Sequence, residues 1–163
     1  VELLDQTANR IQAMALIHES LYKSDEYENV RFQSYIDSLI EAISLTLDTS
    51  HIVIQTDIDS FAPTLATATS CGMIVLELIT NSIKYAFPDK NNAHIKIQVT
   101  SINQNSFTLV VGDNGIGFPK NLNFKETKSL GLQVVISLTE QLNGKIELLD
   151  GTGTTFMLTF KED

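Results

Sequence analysis

Apolar residues recur along this chain at two periods, and the points where the period changes divide it into elements. Near the N-terminus Leu4, Ala8, Ile11, Ala15, His18 and Tyr22 follow one another at alternating steps of four and three, with Thr7, Met14 and Leu21 alongside. That spacing lays one apolar stripe along a helix, and a lone helix cannot bury it, so the stripe predicts a partner. The polar break Ser24-Asp25-Glu26-Tyr27-Glu28-Asn29 ends the arm. It places the boundary between an arm, residues 1–28, and a domain, residues 29–163.

Within the domain, a helix is predicted from about Phe32 to Leu47, with Phe32, Tyr35, Ile36, Leu39, Ile40 and Ile43 on one side. The strand Ile52–Ile58 follows, then a long helix that ends near Phe87, where Pro88 closes it. Pro88-Asp89-Lys90-Asn91-Asn92 is a turn into a hairpin built around Asn103-Gln104-Asn105, and its second strand carries Phe107, Leu109 and Val111 alternating with Thr108 and Val110. Another helix opens at Gly131, burying Leu132, Val134, Val135, Leu138 and Leu142, with Gly144 as its expected C-cap. Finally Ile146 and Leu148 pair across Asp150-Gly151 with Phe156, Leu158 and Phe160. The pattern therefore reads as an α+β domain of three helices over about five strands, behind a helical arm.

Three polar segments interrupt this apolar frame. In the long helix Glu77, Asn81 and Lys84 fall within an arc of about 60°, while Val75, Ile79, Ile83 and Ala86 lie opposite. A carboxylate, an amide oxygen and an ammonium group suit orienting a nucleophile, holding Mg²⁺ and neutralising phosphate oxygens, although such a stripe alone is more often a solvated helix face. Asp113-Asn114-Gly115-Ile116-Gly117 ends a strand. An ionised Asp there only accepts hydrogen bonds, so its ligand is a donor such as the exocyclic amine of adenine; by itself the pattern is more often an ordinary turn. Ser129-Leu130-Gly131-Leu132 opens a helix whose free N–H groups and positive dipole end attract phosphate, unless Ser129 merely caps it. Occurring together and in this order, the three describe a pocket for a nucleotide and its magnesium.

These residues resemble a known family. Glu77 through Tyr85 is similar to the N box, Asp113 through Gly117 to the G1 box and Ser129 through Leu132 to the G2 box of the ATP-binding domain shared by sensor histidine kinases, gyrase, heat-shock chaperone ATPases and mismatch-repair ATPases. The resemblance implies a two-layer α/β sandwich of the Bergerat ATP-binding type, a mixed sheet with helices on one face, and a lid spanning Phe118 to Lys128. It implies that Asn81 ligates magnesium held through ATP, that Glu77 is the catalytic base or orienting group beside the γ-phosphate, and that Lys84 contacts phosphate. Tyr85 would pack beside the nucleoside, Asp113 bind the adenine amine, and Gly115 and Gly117 allow close approach to the ring, with Ile116 between them. Ser129, Leu130, Gly131 and Leu132 would face the phosphates, and Thr154 in Gly153-Thr154-Thr155-Phe156 matches a threonine near the base. A separate phenylalanine box between the second and third segments is not evident, and Ser129 stands where many relatives have a further glycine. A lid this short and poor in glycine predicts weakened nucleotide binding.

The run Asn9 to Glu19, with Leu21-Tyr22 and the later Phe32-x-x-Tyr35-Ile36-x-x-Leu39, resembles the second dimerisation helix and linker of the histidine-kinase branch whose phosphoacceptor histidine lies on the preceding helix. The resemblance thus implies the C-terminal piece of a longer sensor histidine kinase. It would transfer the γ-phosphoryl group of Mg-ATP to a histidine outside this chain, in two-component signalling. The implied partners are the upstream acceptor helix, a response regulator and a second copy of the chain. An anti-sigma-type serine kinase and a catalytically silent nucleotide-binding or dimerisation module are the alternatives. His18, on the apolar stripe, reads as a packed interface residue rather than the acceptor.

Composition narrows the picture further. The chain has 163 residues, 43% of them hydrophobic, enough for one domain and an arm. Its net charge of −9 and pI near 4.7 argue against a nucleic-acid surface. Cys71 is the only cysteine and sits among apolar residues, as a quiet buried thiol would. No signal peptide or bilayer-crossing run is read, so the piece is expected in the cytoplasm without membrane contact. His51 and His94 read as strand-edge residues, and no cluster has metal-ligand spacing, which leaves Mg²⁺ with ATP as the only metal inferred.

Overall fold

The computed structural model describes residues 31–89 and 91–162, and from the N-terminal segment Thr7, Ala8, Ile11, Gln12, Ala15, Leu16 and Glu19, all helical. Leu4, Met14, His18, Leu21 and Tyr22 of the predicted stripe, the predicted boundary at residues 24–29, and Lys90 lie outside the described residues. Leu16 packs against the domain core, whereas Ala8, Ile11 and Ala15 face solvent in the single chain.

Helix α1 (Phe32–Thr46) buries Phe32, Tyr35, Ile36, Leu39 and Ile43, the side its spacing predicts. Strand β1 (Ile52–Ile58) and helix α2 (Leu65–Tyr85) follow. Thr64 caps α2 by accepting a hydrogen bond from the Thr67 N–H, and the Glu162 carboxylate accepts one from the Thr64 N–H at 2.6 Å. The hairpin is β2 (Ala93–Asn103) and β3 (Ser106–Asp113). A 3₁₀ turn at Phe124–Glu126 leads to α3 (Leu130–Gln141), and β4 (Lys145–Leu149) and β5 (Thr155–Lys161) close the domain.

The five strands form one mixed sheet in the order β1-β2-β3-β5-β4, with β1 parallel to β2 and every other pair antiparallel. Register carries the alternation across strands. Ile97, Val111 and Phe156 are neighbours, as are Val99, Leu109, Leu158 and Ile146, so one face is continuously apolar. The three helices cover that face, giving the two-layer sandwich. Each large apolar side chain buried there contributes about 1.5–3 kcal/mol.

Three expectations are corrected. First, α2 does have the length and apolarity of a membrane span, but 72% of its most apolar stretch is buried inside the domain, so its hydrophobicity is that of a core helix. Second, α3 ends in a Schellman motif in which Asn143, at φ 49°, takes the left-handed position rather than Gly144. The Gly144 N–H bonds to the Thr139 carbonyl and that of Asn143 to Glu140, both at 2.9 Å. Gly144 is required by proximity instead, since a Cβ there would stand 2.8 Å from the Thr159 carbonyl oxygen. Third, His94 lies in β2, an interior strand, whereas His51 precedes β1 at the sheet's edge.

Candidate nucleotide site

The C-terminal half of α2 forms one wall of a pocket of about 350 Å³, within the range of small-molecule sites. Asn81, Ser82 and Tyr85 line it from the helix, Asp113 and Gly117 from the end of β3, Ser129 and Leu132 from the start of α3, and Thr154 from the approach to β5. Segments far apart in sequence thus meet in one cavity. Asn81 and Asp113, the two residues on which the nucleotide reading depends, share it.

Asp113 is 7% exposed, and hydrogen bonds fix both of its carboxylate oxygens. Oδ1 accepts from the N–H of Gly115 at 2.9 Å and of Thr154 at 3.1 Å, and Oδ2 accepts from the Ser82 hydroxyl at 2.7 Å. The backbone closes the same junction, because the Asp113 N–H donates to the Thr154 carbonyl at 2.9 Å. Gly153, at φ 74°, passes so close to the Asp113 carbonyl that a Cβ could not be placed there. A carboxylate already held by three donors keeps a fixed edge toward the cavity, with acceptor capacity left for a ligand's donor.

The loop after Asp113 is tied down on two sides. Asn114 bridges to β2, accepting from the His94 N–H and donating to the Asn92 carbonyl, both at 2.8 Å. The Ile116 N–H bonds to the Ala86 carbonyl at 3.0 Å, and Gly115 lies against that carbonyl with no room for a Cβ. The close approach that Gly115 permits is therefore to the end of α2. Gly117, at φ 86°, is the glycine of this loop that reaches the pocket.

The other predicted residues divide. Glu77, Lys84, Gly115, Ile116, Leu130 and Gly131 do not line the cavity. Glu77 is buried beside the start of α3, its Oε2 2.6 Å from where a Gly131 Cβ would stand. Lys84 is half-buried, and Ile116 is 72% exposed. Ser129 is the N-cap of α3 but makes no capping bond with its side chain, so its hydroxyl is not committed to the helix it precedes. Among the described residues no Lys or Arg lines the pocket. Phosphate charge there would fall to a metal and to the open N–H groups of the first turn of α3.

The sequence reading missed Ser82 and the apolar wall of Leu78, Val111, Leu122 and Phe156. A hydroxyl on a core helix next to Asn81 was the available signal for Ser82. In the predicted lid, Phe124 packs edge-on against Phe156 at 5.3 Å and Phe118 does so at 6.1 Å. These two rings anchor the segment, and Phe118 supplies part of the pocket's apolar surface.

Burial pushes the Cys71 thiol and the Tyr35 phenol well above their ordinary ranges, Glu162 adding to the first and Cys71 to the second. Neither residue touches the pocket. Among the described residues no three His, Cys, Asp or Glu side chains could hold a metal by themselves. The Asn81 amide, as a pocket-lining oxygen donor, fits a hard cation whose remaining ligands are phosphate and water.

Comparison with known proteins agrees with this geometry. Residues 67–163 match the family described as histidine kinase-, DNA gyrase B-, and HSP90-like ATPase, and residues 1–47 match a family described as histidine kinase. The sensor histidine kinase PdtaS of Mycobacterium tuberculosis is 28% identical over 152 residues, covering 91% of this chain and 30% of its own length. The blue-light-activated histidine kinase 2 of Erythrobacter litoralis is 21% identical over 155 residues, 92% of this chain and 45% of that protein. The chain thus spans less than half the length of these relatives. A solved histidine kinase domain from an Erythrobacter litoralis blue-light-activated kinase shares the fold with a TM-score of 0.83 at 20% identity, over 95% of this chain and 74% of that one. With its ATPase-family match covering the helix, strand ends and loops that build the pocket, the chain belongs to the histidine kinase-, DNA gyrase B- and HSP90-like ATPase family.

Proposed function

We propose that this chain is the ATP-binding catalytic portion of a sensor histidine kinase and that it transfers the γ-phosphoryl group of ATP to a histidine outside the chain. The observation that carries the reading is that Asn81 and Asp113 line one pocket. Asp113 reads the adenine amine at one end, with Thr154 beside it, and Tyr85 covers the nucleoside. Asn81 supplies an oxygen ligand to Mg²⁺, which when bound neutralises charge on the phosphates. Ser129 and the first turn of α3 face the phosphate end, and Lys84, outside the lining, adds positive charge at longer range.

In the transfer, the lone-pair nitrogen of the acceptor imidazole forms a bond to the γ-phosphorus while the bond to the bridging oxygen breaks and its electrons leave with ADP, and the proton on the other ring nitrogen is lost. Glu77 orients that imidazole or takes its proton from its buried place beside the start of α3. Most of the rate enhancement is positioning.

The match of residues 1–47 to a histidine kinase family supports this reading over a serine kinase. The solvent-facing Ala8, Ile11 and Ala15 support pairing of the arm with a second copy. The acceptor-bearing helix, a response regulator and a cytoplasmic setting complete the proposal. The test is to mix the chain with Mg-ATP and a separate domain bearing the acceptor helix, and to look for acid-labile phosphate. Absence of such phosphate while ATP still binds would leave a nucleotide-binding module without transferase activity.

A further inference from the structure

We infer that Ser82 is a positioning residue for base recognition: its hydroxyl holds the Asp113 carboxylate in the orientation that selects a purine bearing an exocyclic amine. The inference rests on the reading of Asp113 as the base-recognising group and adds a second residue to it.

Hydroxyls inside helices usually donate back to the carbonyl four residues earlier. In this chain Ser38 does so to Ser34, Ser44 to Ile40, Thr69 to Leu65 and Thr139 to Val135, at 2.7–3.0 Å. Ser82 departs from that habit. Its Oγ lies 2.7 Å from Asp113 Oδ2 across the gap between α2 and β3, in a contact closed to solvent. A carboxylate only accepts, so the serine proton is committed to Asp113.

Two consequences follow from that commitment. Gly115 and Thr154 both hold Oδ1, and among the described residues Ser82 is the one donor to Oδ2, so the carboxylate is pinned at both ends and Ser82 adds the second restraint on its rotation. Because Ser82 also lines the cavity, its oxygen lone pairs extend the acceptor edge that Asp113 presents there. An amine with two hydrogens meets two acceptors, directly or through one water. A purine without the amine gains nothing from either.

The experiment compares binding of ATP and of purine riboside triphosphate, which lacks the 6-amino group, to the full chain and to its Ser82→Ala and Ser82→Thr variants, with a thermal melt to show that each is folded. The wild type is expected to prefer ATP by about tenfold or more, as one hydrogen bond to a charged group allows. In Ser82→Ala the preference should shrink to about threefold or less, the loss falling on ATP. Ser82→Thr keeps the hydroxyl and should keep the ratio even where the added methyl weakens both ligands. An undiminished ratio in Ser82→Ala, or equal weakening of both nucleotides, overturns the inference, as does loss of the ratio in Ser82→Thr. A wild type that binds the two nucleotides alike strikes instead at the assignment of Asp113 to the base.

Discussion

The Glu77 carboxylate closes on the backbone of Gly131, with Oε2 2.6 Å from the position a Gly131 Cβ would take. The contact joins the acidic residue of α2 to the first turn of α3 and explains why a glycine stands there. The obstructing atom is the far end of a flexible side chain, so Gly131→Ala should displace Glu77 rather than break the fold. We expect its melting free energy to change by less than about 1 kcal/mol, because alanine's better helix propensity offsets the strain. Phosphoryl transfer should nevertheless slow measurably. An unaltered transfer rate would detach Glu77 from the chemistry.

Gly153→Ala provides the contrast. There the obstruction is the Asp113 backbone carbonyl, and φ is 74°, so neither neighbour nor conformation can yield cheaply. We expect a loss of more than about 2 kcal/mol in chemical denaturation, together with weakened nucleotide binding, since the strained residue abuts the backbone of Asp113, the residue proposed to read the base.

Phe124 is, with Phe118, an apolar anchor of the segment between β3 and α3. Phe124→Ala removes its edge contact with Phe156 and should cost about 2–4 kcal/mol, less than a central core aromatic because the ring lies at the domain's margin. Differential scanning calorimetry checks the stability, and a nucleotide titration checks that the pocket wall has loosened.

The buried Cys71 thiol and Tyr35 phenol both ionise far less readily in the folded chain than when exposed, burial being the first cause for each. Above about pH 8.5 the unfolded chain therefore loses a proton that the folded chain keeps, so the unfolded state binds fewer protons and stability falls as pH rises. Each group contributes a slope of at most about 1.4 kcal/mol per pH unit. Denaturation midpoints measured from pH 7 to 10 should decline, and Cys71→Ala should flatten the part that begins at the thiol's exposed range. Cys71 should also resist thiol reagents until the chain unfolds.

Much of this molecule was legible before its structure, and the parts that were not share a physical cause. Period-two alternation located β3 and β5, and the register of Leu109 opposite Leu158 follows once both inner faces must be apolar. Helical spacing put Glu77, Asn81 and Lys84 on one arc, but spacing cannot tell which neighbour covers which part of it. The structure gives Asn81 to the pocket and packs Glu77 under α3, while Lys84 stays outside the lining. Ser82 was hidden because a serine on a core helix ordinarily satisfies itself. Phe118 and Leu122 were hidden as pocket walls because they sit in a loop, where no period announces a face. The cap of α3 went to Asn143 because Gly144 is held against β5 by tertiary contact, which local sequence does not record.

Asn81→Ala isolates the metal's contribution. In the presence of Mg²⁺ its affinity for ATP should fall by about tenfold or more, and with magnesium chelated it should differ little from the wild type. Isothermal titration under the two conditions makes the comparison, and equal magnesium dependence in both proteins would remove Asn81 from the metal site.

The most direct test of the whole account is a crystal structure of the chain with Mg²⁺ and a non-hydrolysable ATP analogue. The account predicts the adenine amine within hydrogen-bonding distance of the Asp113 carboxylate and the cation on the side-chain oxygen of Asn81, both in the pocket between α2, β3 and α3. A nucleotide seated elsewhere, or a base turned away from Asp113 while the cation ignores Asn81, would contradict it.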